Sequence, residues 1–516
     1  MQQQSIIQRV GGTFLRATRW ASLRFLGARG GGVAVPFALL AVPLTFMSIA
    51  AVDFHRASMI KSSLQDALDA ATLTVGRSTA TDPAQVQSMG AAALTANLEA
   101  YPESTLTSAT FALQGTKVVS SASLAVEPLA ADLLGGDLQV SANSEVVRAV
   151  YKLEVAMVLD NTGSMAGTKL STLKTAAANF VDTLAAASAR STEANAVKIG
   201  LVPFSMTVNV GAGYQTAAWM DTAGASPIND QFFSAHANRF TLFQQMGVAW
   251  GGCVESRQAP YDVQETAPDP ATPATLFTPY FAPDEPNLSG SVNSYLPDGT
   301  TSSSWTTRQN NVAKYNQAPT ASGVNGTGVY KYGPNAGCEL QPVKRLTTDW
   351  TSLKTAINGM IAIGDTNIPM GLAWGWHLLS PSAPFADGVA YDTPKTKKIV
   401  VLMTDGQNAS AVSGNTNASY YSGVGYIFQN RLGITSGTAA QRQTAMDSRL
   451  TLLCQNMKAQ DIQIYTVRVE VNDNNYSVLQ GCATKPENFY DVQSASELNA
   501  VFNAIAGDIQ NLRISH

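Results

Sequence analysis

The chain has 516 residues, 45% of them hydrophobic, which is enough polypeptide and apolar surface for about three or four ordinary domains. This composition excludes a mostly disordered chain. Charged residues make up only 14% and the formal net charge is -4, which excludes binding to nucleic acid through overall positive charge.

The N-terminal segment predicts a membrane anchor. Residues 1–52 contain five arginines and no acid, and all five precede an uncharged run of 20 residues from Val33 to Val52. That run is long enough to cross a bilayer. Because the cations lie on its N-terminal side, we expect residues 1–32 in the cytoplasm and the chain after residue 52 outside it. A cleaved signal peptide, with Ser48-Ile49-Ala50 as its cleavage site, is the alternative, but its apolar core is usually shorter.

Residues 53–150 predict a helix followed by a small α+β module. Over 54–75, apolar residues recur at helical spacing, at Ile60, Leu64, Leu68 and Ala71. This helix either continues the membrane span as a stalk or packs on a neighbouring element. Alternating runs at Thr116–Leu124 and Leu138–Val147 predict strands.

From Tyr151 onward, buried strands alternate with helices. Strands are predicted at Leu153–Leu159, Val197–Phe204, Lys398–Met403, Ile462–Val469 and Phe489–Val492. Helices are predicted near 169–187, 349–361, 369–379, 440–459 and 496–512. This alternation predicts an α/β fold with a doubly wound, mostly parallel sheet over 151–516.

Two stretches interrupt the alternation, at about 205–345 and 407–439. Both are rich in residues that favour turns, yet they also contain Tyr261, Phe277, Tyr280, Phe281, Trp305, Tyr330, Tyr420, Tyr421 and Tyr426. Aromatic residues at this density predict ordered, irregular insertions rather than disordered linkers. The rings either pack the insertions or add contact surface, and the sequence leaves both open. It also leaves open whether Thr207–Val210 returns as an edge strand.

The four cysteines predict two disulfides, because an even number outside the cytoplasm is typical of paired cysteines. Of the three possible connectivities, chain order and local context favour Cys253–Cys338 and Cys454–Cys482. The chain contains neither a CxxC pair nor an HExxH motif, so the sequence offers no zinc site of the common kinds.

Three loops at predicted strand or helix ends carry oxygen-bearing side chains. The first strand of the domain ends in Asp160-Asn161-Thr162-Gly163-Ser164, and Lys398–Met403 is followed by Thr404-Asp405-Gly406. Gly364-Asp365-Thr366-Asn367 opens a helix. Ligand-binding groups in open α/β sheets lie at the carboxyl ends of strands, and hard divalent cations prefer oxygen ligands. The loops therefore predict a cation site.

These loops resemble the metal-ion-dependent adhesion site of von Willebrand factor type A domains. Position by position, the resemblance assigns metal ligation to Asp160, Thr162, Ser164, Thr366 and Asp405. It implies a divalent cation, Mg²⁺ first and Mn²⁺ or Ca²⁺ as alternatives. It also implies an open coordination position that a carboxylate of a partner protein completes. Asp365, beside Thr366, adds a charge that favours cation binding.

The order of segments resembles TadG-like proteins of the tight-adherence (Flp) pilus. The resemblance rests on the basic N-terminus, the single span and three motifs, Leu64-Gln65-Asp66-Ala67, Trp250-Gly251-Gly252-Cys253-Val254-Glu255 and Tyr280-Phe281-Ala282-Pro283-Asp284-Glu285-Pro286. It implies a pilus-assembly protein anchored in the inner membrane of a bacterial envelope, with its bulk periplasmic or extracellular. Pilus or pseudopilin subunits are the implied partners. Phe37, the fifth residue after Gly32, stands where related pseudopilins have Glu, which favours a retained anchor.

Other functions fit the sequence less well. A phosphatase of the dehalogenase type needs a second acid where Thr162 stands, and the chain has neither a GxSxG motif nor a Walker A sequence. His377 lies in an apolar helix, where we expect it to be a core residue. We therefore predict no catalysis. The remaining alternatives are a surface adhesin unrelated to pili and an envelope scaffold whose metal is purely structural.

Overall fold

The computed structural model describes residues 34–78, 80, 82–98, 104–114, 117–129, 137–147, 151–189, 191, 193–320, 332–471 and 477–514. The chain divides into two compact units, Met1–Arg148 and Ala149–His516. The predicted cytoplasmic segment, 1–32, lies outside the described residues, as does Tyr330.

The first unit is organised by one long helix, α1 (Ala34–Arg77), which joins the predicted span to the helix predicted after it. From Pro36 to Val52 its side chains are almost all exposed, and the helix is long and apolar enough to cross a membrane. Further along, the stripe of Leu64, Leu68 and Ala71 is fully buried. The helix therefore serves both as a continuation of the span and as a packing element.

A three-stranded antiparallel sheet completes this unit. It consists of β1 (Ser104–Gln114), β2 (Lys117–Val126) and β3 (Leu138–Val147), in that order, with α2 (Pro83–Leu98) and α1 packed against it. The predicted strands are β2 and β3. Gln87 of α2 donates to the carbonyl of Ala109 and accepts from the N–H of Phe111, at 2.9 and 2.8 Å. The side-chain amide of Gln87 thus makes two of the hydrogen bonds that a neighbouring strand would make to β1, which is an edge strand.

The second unit is built on an eight-stranded sheet. Its strands are β4 (Lys152–Asp160), β5 (Val197–Phe204), β6 (Val208–Asn209), β7 (Cys253–Val254), β8 (Lys344–Thr347), β9 (Thr396–Thr404), β10 (Gln463–Val469) and β11 (Phe489–Val492). They are ordered β11-β10-β9-β4-β5-β6-β7, with β8 also beside β5. Strands β11, β10, β9, β4 and β5 are parallel. If β7 and β8 are left out and the other six strands are numbered in chain order, their order across the sheet is that of a doubly wound Rossmann-type sheet.

Helices cover both faces of this sheet, as the sequence predicts. The helices of the unit are α3 (Thr168–Ala189), α4 (Arg239–Met246), α5 (Trp305–Gln309), α6 (Trp350–Asn358), α7 (Ile368–Leu379), α8 (Ala439–Lys458), α9 (Ser477–Cys482) and α10 (Leu498–Ile514). Helices α3, α6 and α10 share one apolar core with the sheet. Helices α7 and α8 share the other core with the insertions.

The first insertion interrupts an edge strand. Phe204 of β5 pairs with Val208 of β6, and further along the same edge Ile199 pairs with Thr347 of β8, both antiparallel. The N–H of Val343 donates to the carbonyl of Asn209 at 2.8 Å. Strands β6 and β8 are therefore two parts of one antiparallel edge strand, and residues 210–343 are inserted between them. The predicted start of the first insertion, residue 205, thus lies before β6, whereas the insertion begins after β6.

The two insertions form one packed body. Arg239 and Arg431, one from each insertion, both form ion pairs with the buried carboxylate of Glu255. Of the insertion aromatics, Phe277, Tyr280, Phe281, Tyr421 and Tyr426 are buried, whereas Tyr420 is half exposed. Most of these rings therefore pack the insertions.

Both predicted disulfides are present. Cys253–Cys338 closes the base of the first insertion, and Cys454–Cys482 joins α8 to α9. His377 lies in the core, as expected, with its ring 5.3 Å from that of Phe277. Burial lowers the pKa of His377 well below its usual value.

We expect Asn209 to be essential for holding the insertion onto its strand. Its amide nitrogen donates to the carbonyls of Gly251 and Leu340, each at 3.1 Å, and its oxygen accepts from the N–H of Gly211 at 2.8 Å. Asn209→Ala removes the partner of three backbone groups, one buried and two partly buried, so it should lower the free energy of unfolding by about 2–4 kcal/mol. Thermal unfolding should show this, with Asn316→Ala, an exposed asparagine of the same insertion, as the control. Equal melting temperatures of the two variants would contradict the role.

Candidate metal centre

The first loop begins where the central strand β4 ends. The Asp160 side chain is fully buried there, and its Oδ1 accepts the N–H of Thr162 at 2.7 Å. A short 3-10 turn over Gly163–Met165 follows. This turn brings the hydroxyl oxygens of Thr162 and Ser164 to 3.0 Å from each other. A buried strand that ends in a tight turn thus places three oxygen-bearing side chains at the sheet edge.

The second loop is tied to the first by backbone hydrogen bonds. The N–H of Gly163 donates to the carbonyl of Gly364 at 2.9 Å, and the N–H of Ile363 donates to the carbonyl of Asn161 at 2.7 Å. Gly364 has a φ of 74°, a left-handed conformation that glycine adopts without strain. The turn at Gly364 precedes Thr366, which lines the same cleft as Thr162.

The third loop follows β9 and reaches both neighbours. Oδ1 of Asp405 accepts from the hydroxyl of Ser164 at 2.6 Å, and Oδ2 accepts from the ammonium of Lys169 at 2.8 Å. Directly before it, the hydroxyl of Thr404 donates to Oδ2 of Asp160 at 2.6 Å. All four carboxylate oxygens therefore have a protein donor.

The structure brings together all five side chains that the sequence singled out. Thr162, Ser164, Thr366 and Asp405 line one open cleft of about 600 Å³, and Asp160 lies beneath its floor. The start of the second insertion and the N-terminal part of α8 form much of the remaining wall, with Gln407, Asn408, Ala409, Ser410, Ala411, Ala439, Ala440 and Gln443.

Two residues at the cleft were not assigned a role from the sequence. Thr404 was visible as the neighbour of Asp405 in the same motif, but its bond to Asp160 depends on the pairing of β4 with β9. Lys169 was visible only as a residue at the start of a predicted helix. Asp365, whose charge the sequence analysis expects to favour cation binding, also lines the cleft, and its Oδ2 accepts the N–H of Ala411 at 3.1 Å.

The electrostatics of the cleft favour a cation. Burial and the nearby charge of Asp405 raise the pKa of Asp160 to about 6. Burial also raises the pKa of Asp365. Crowded, desolvated carboxylates of this kind are stabilised by added positive charge.

The donor set fits a hard divalent cation. The hydroxyls of Ser164 and Thr404 each donate to a carboxylate. Because Ser164 is a donor in this bond, its oxygen still has a lone pair to offer a metal. Carboxylates and hydroxyls suit Mg²⁺, Mn²⁺ or Ca²⁺ better than soft metals. Within the described ranges, no group of three or more His, Cys, Asp or Glu side chains is placed to hold a metal. The cleft therefore relies on hydroxyl oxygens as well as carboxylates.

Comparison with family models identifies the N-terminal segment. Residues 31–78 match the family described as putative Flp pilus-assembly TadE/G-like. Helix α1 covers most of this segment, and its exposed apolar part agrees with an anchor in an envelope membrane. No protein with a curated function matches the sequence.

Solved structures that are similar to the chain include two pilus proteins. The pilus adhesin SpaC from Lactobacillus rhamnosus GG is 12% identical, with a TM-score of 0.32 over 80% of this chain and 35% of its own. The vWF domain of the type V pili tip protein Mfa5 from Porphyromonas gingivalis is 12% identical, with a TM-score of 0.33 over 71% of this chain and 97% of its own. The chain thus spans only about a third of SpaC.

A third similar structure is proximal thread matrix protein 1 from the mussel byssus, with a zinc-occupied MIDAS motif. It is 12% identical, with a TM-score of 0.28 over 71% of this chain and 47% of its own. Likeness at this level says nothing about the ligands or partners of this chain. The chain carries a TadE/G-like Flp pilus-assembly segment at its N-terminus, as its sequence predicts, and continues into the Rossmann-like α/β domain expected from its resemblance to von Willebrand factor type A domains.

Proposed function

We propose that this protein is a membrane-anchored, metal-dependent protein-binding component of pilus assembly or adhesion. Its cation would be held by Asp160, Thr162, Ser164, Thr366 and Asp405. The observation that carries the proposal is that these side chains, from three separate loops, meet at one open cleft on the carboxyl edge of the sheet. The proposed activity is recognition without turnover.

The chemistry that a bound cation supplies is attraction for a carboxylate of the partner. Asp160 and Asp405 are the two carboxylates of the proposed ligand set, and Lys169 already compensates Asp405. A divalent cation would neutralise the two carboxylates of the ligand set, so that an anionic ligand from outside is attracted to the metal rather than repelled by the site. The open cleft leaves room for such a ligand beside Thr162 and Thr366.

The proposed location is the inner membrane of a bacterial envelope, with the N-terminus cytoplasmic and the bulk of the chain outside. The exposed apolar part of α1 supports the anchor. The disulfides Cys253–Cys338 and Cys454–Cys482 support an oxidising compartment for the second unit. Pilus or pseudopilin subunits are the proposed partners.

The principal alternative is an envelope scaffold or adhesin unrelated to pili, with a structural metal. The burial of Asp160 supports a stabilising role for the metal, because a cation would offset the desolvation of its carboxylate. The two proposals differ in whether loss of the metal abolishes pilus assembly or only lowers stability.

We expect the protein to bind a divalent metal ion. The full chain in detergent micelles should give saturable heat with Mg²⁺ and Mn²⁺, and metal at a hundred times its Kd should stabilise the fold by about 2.7 kcal/mol. Asp160→Asn should lose both effects, because it removes one of the two carboxylates at the ligand set. Asp461→Asn is the matched control, since the Asp461 side chain is 90% exposed and its ion pair is with Lys397, away from the ligand set. Absence of heat and of a thermal shift in the unmodified protein would contradict the metal-dependent function.

Pilus assembly should depend on a hydroxyl ligand. In the bacterium that makes this protein, Thr366→Ala should abolish surface pili while leaving the amount of membrane-bound protein unchanged. The reason is that Thr366 lies at the cleft, while its carbonyl, which accepts the N–H of Ala409 at 2.8 Å, remains in place. Electron microscopy of surface pili, with Asp461→Asn as the control, measures the effect. Normal pili on cells whose Thr366→Ala protein no longer binds metal would favour the structural alternative.

A further inference from the structure

Lys169 places a fixed positive charge at the proposed metal site. It is the second residue of α3, and its ammonium lies 2.8 Å from Oδ2 of Asp405 and 3.7 Å from Oε2 of Glu470. The Lys169 side chain is 24% exposed, while that of Asp405 is fully buried. The lysine therefore bridges a carboxylate of the proposed site and a second carboxylate outside it.

We propose that Lys169 is a built-in competitor of the metal, which holds Asp405 when the site is empty and passes to Glu470 when a cation binds. The inference rests on the proposed metal site, and it concerns how that site is regulated. Under this exchange, metal affinity depends on two residues outside the predicted ligand set.

The competition follows from the bonding of Asp405. Its Oδ1 accepts from Ser164 and its Oδ2 from Lys169, so neither oxygen lacks a partner in the described structure. A divalent cation drawn to the same carboxylate would be repelled by the ammonium, and repulsion between charges a few ångströms apart is strong where water is partly excluded. Metal binding therefore carries the cost of weakening the contact between Lys169 and Asp405.

Glu470 is placed to receive the displaced ammonium. It follows β10 directly, and its φ of 53° puts a residue other than glycine in the left-handed region, which is uncommon. Its Oε1 accepts the N–H of Ala495 at 2.8 Å, which holds the carboxylate in place while Oε2 faces Lys169. The lysine needs only a small movement to exchange one carboxylate for the other.

Opposite effects of two neutral variants test this proposal. Mn²⁺ affinity is measured on the full chain in micelles at pH 8. Lys169→Met should bind Mn²⁺ more tightly, by on the order of tenfold, because the competitor is gone. Glu470→Gln should bind it more weakly, because Lys169 loses its second partner. The double variant should bind like Lys169→Met.

Lys174→Met is the matched control. Lys174 lies on the same helix and donates to the backbone carbonyl of Asn358, so its removal changes the net charge equally without touching the cleft. Its Mn²⁺ affinity should equal that of the unmodified protein. Lys169→Gln replaces Lys169→Met if the methionine variant does not fold.

Several results would overturn the inference. Unchanged or weaker binding by a folded Lys169→Met variant would show that the lysine does not compete. If Glu470→Gln weakens binding equally in the Lys169→Met background, Glu470 acts through its own charge and no exchange occurs. Binding by Lys169→Met alone, and not by the unmodified protein, would support the competition. Absence of Mn²⁺ binding in both would overturn the metal site itself.

Discussion

The buried carboxylate of Asp160 is the constraint on which the rest of the cleft depends. It ends the central strand β4, where one oxygen accepts the N–H of Thr162 in the first loop and the other accepts the hydroxyl of Thr404 at the end of β9. A buried carboxylate is costly unless its oxygens are satisfied. The first and third loops are therefore held at the positions that satisfy Asp160, and the side chains that they carry meet at one place.

Backbone hydrogen bonds hold the remaining loop without using any of the proposed ligand side chains. Gly163 bonds to Gly364, and Ala409 bonds to Thr366, each through main-chain groups. Hydroxyl oxygens are weak ligands that bind a cation well only when they are already in position. Because the backbone supplies that positioning in the second loop, the side chain of Thr366 remains available to a ligand.

The large insertions leave this arrangement intact because of where they leave the sheet. The first interrupts an edge strand between Asn209 and Val343, whose main chains are bonded to each other, so the central strands keep their register. The second follows Asp405 and lines the cleft before it packs against the first. The insertions thus shape the surroundings of the cleft, while the parallel strands determine its ligand set.

The sequence by itself determined the long apolar helix, the five parallel strands and five of the helices after Tyr151, and the five side chains expected at one sheet edge. These are local features, because they follow from hydrophobic periodicity and from loops that come directly after strands. Only the tertiary structure decided that the first insertion begins after β6, that Thr404 bonds to Asp160 and that Lys169 holds Asp405. Each of these joins residues far apart in the chain or depends on strand pairing, and such contacts leave no periodic signal in the sequence.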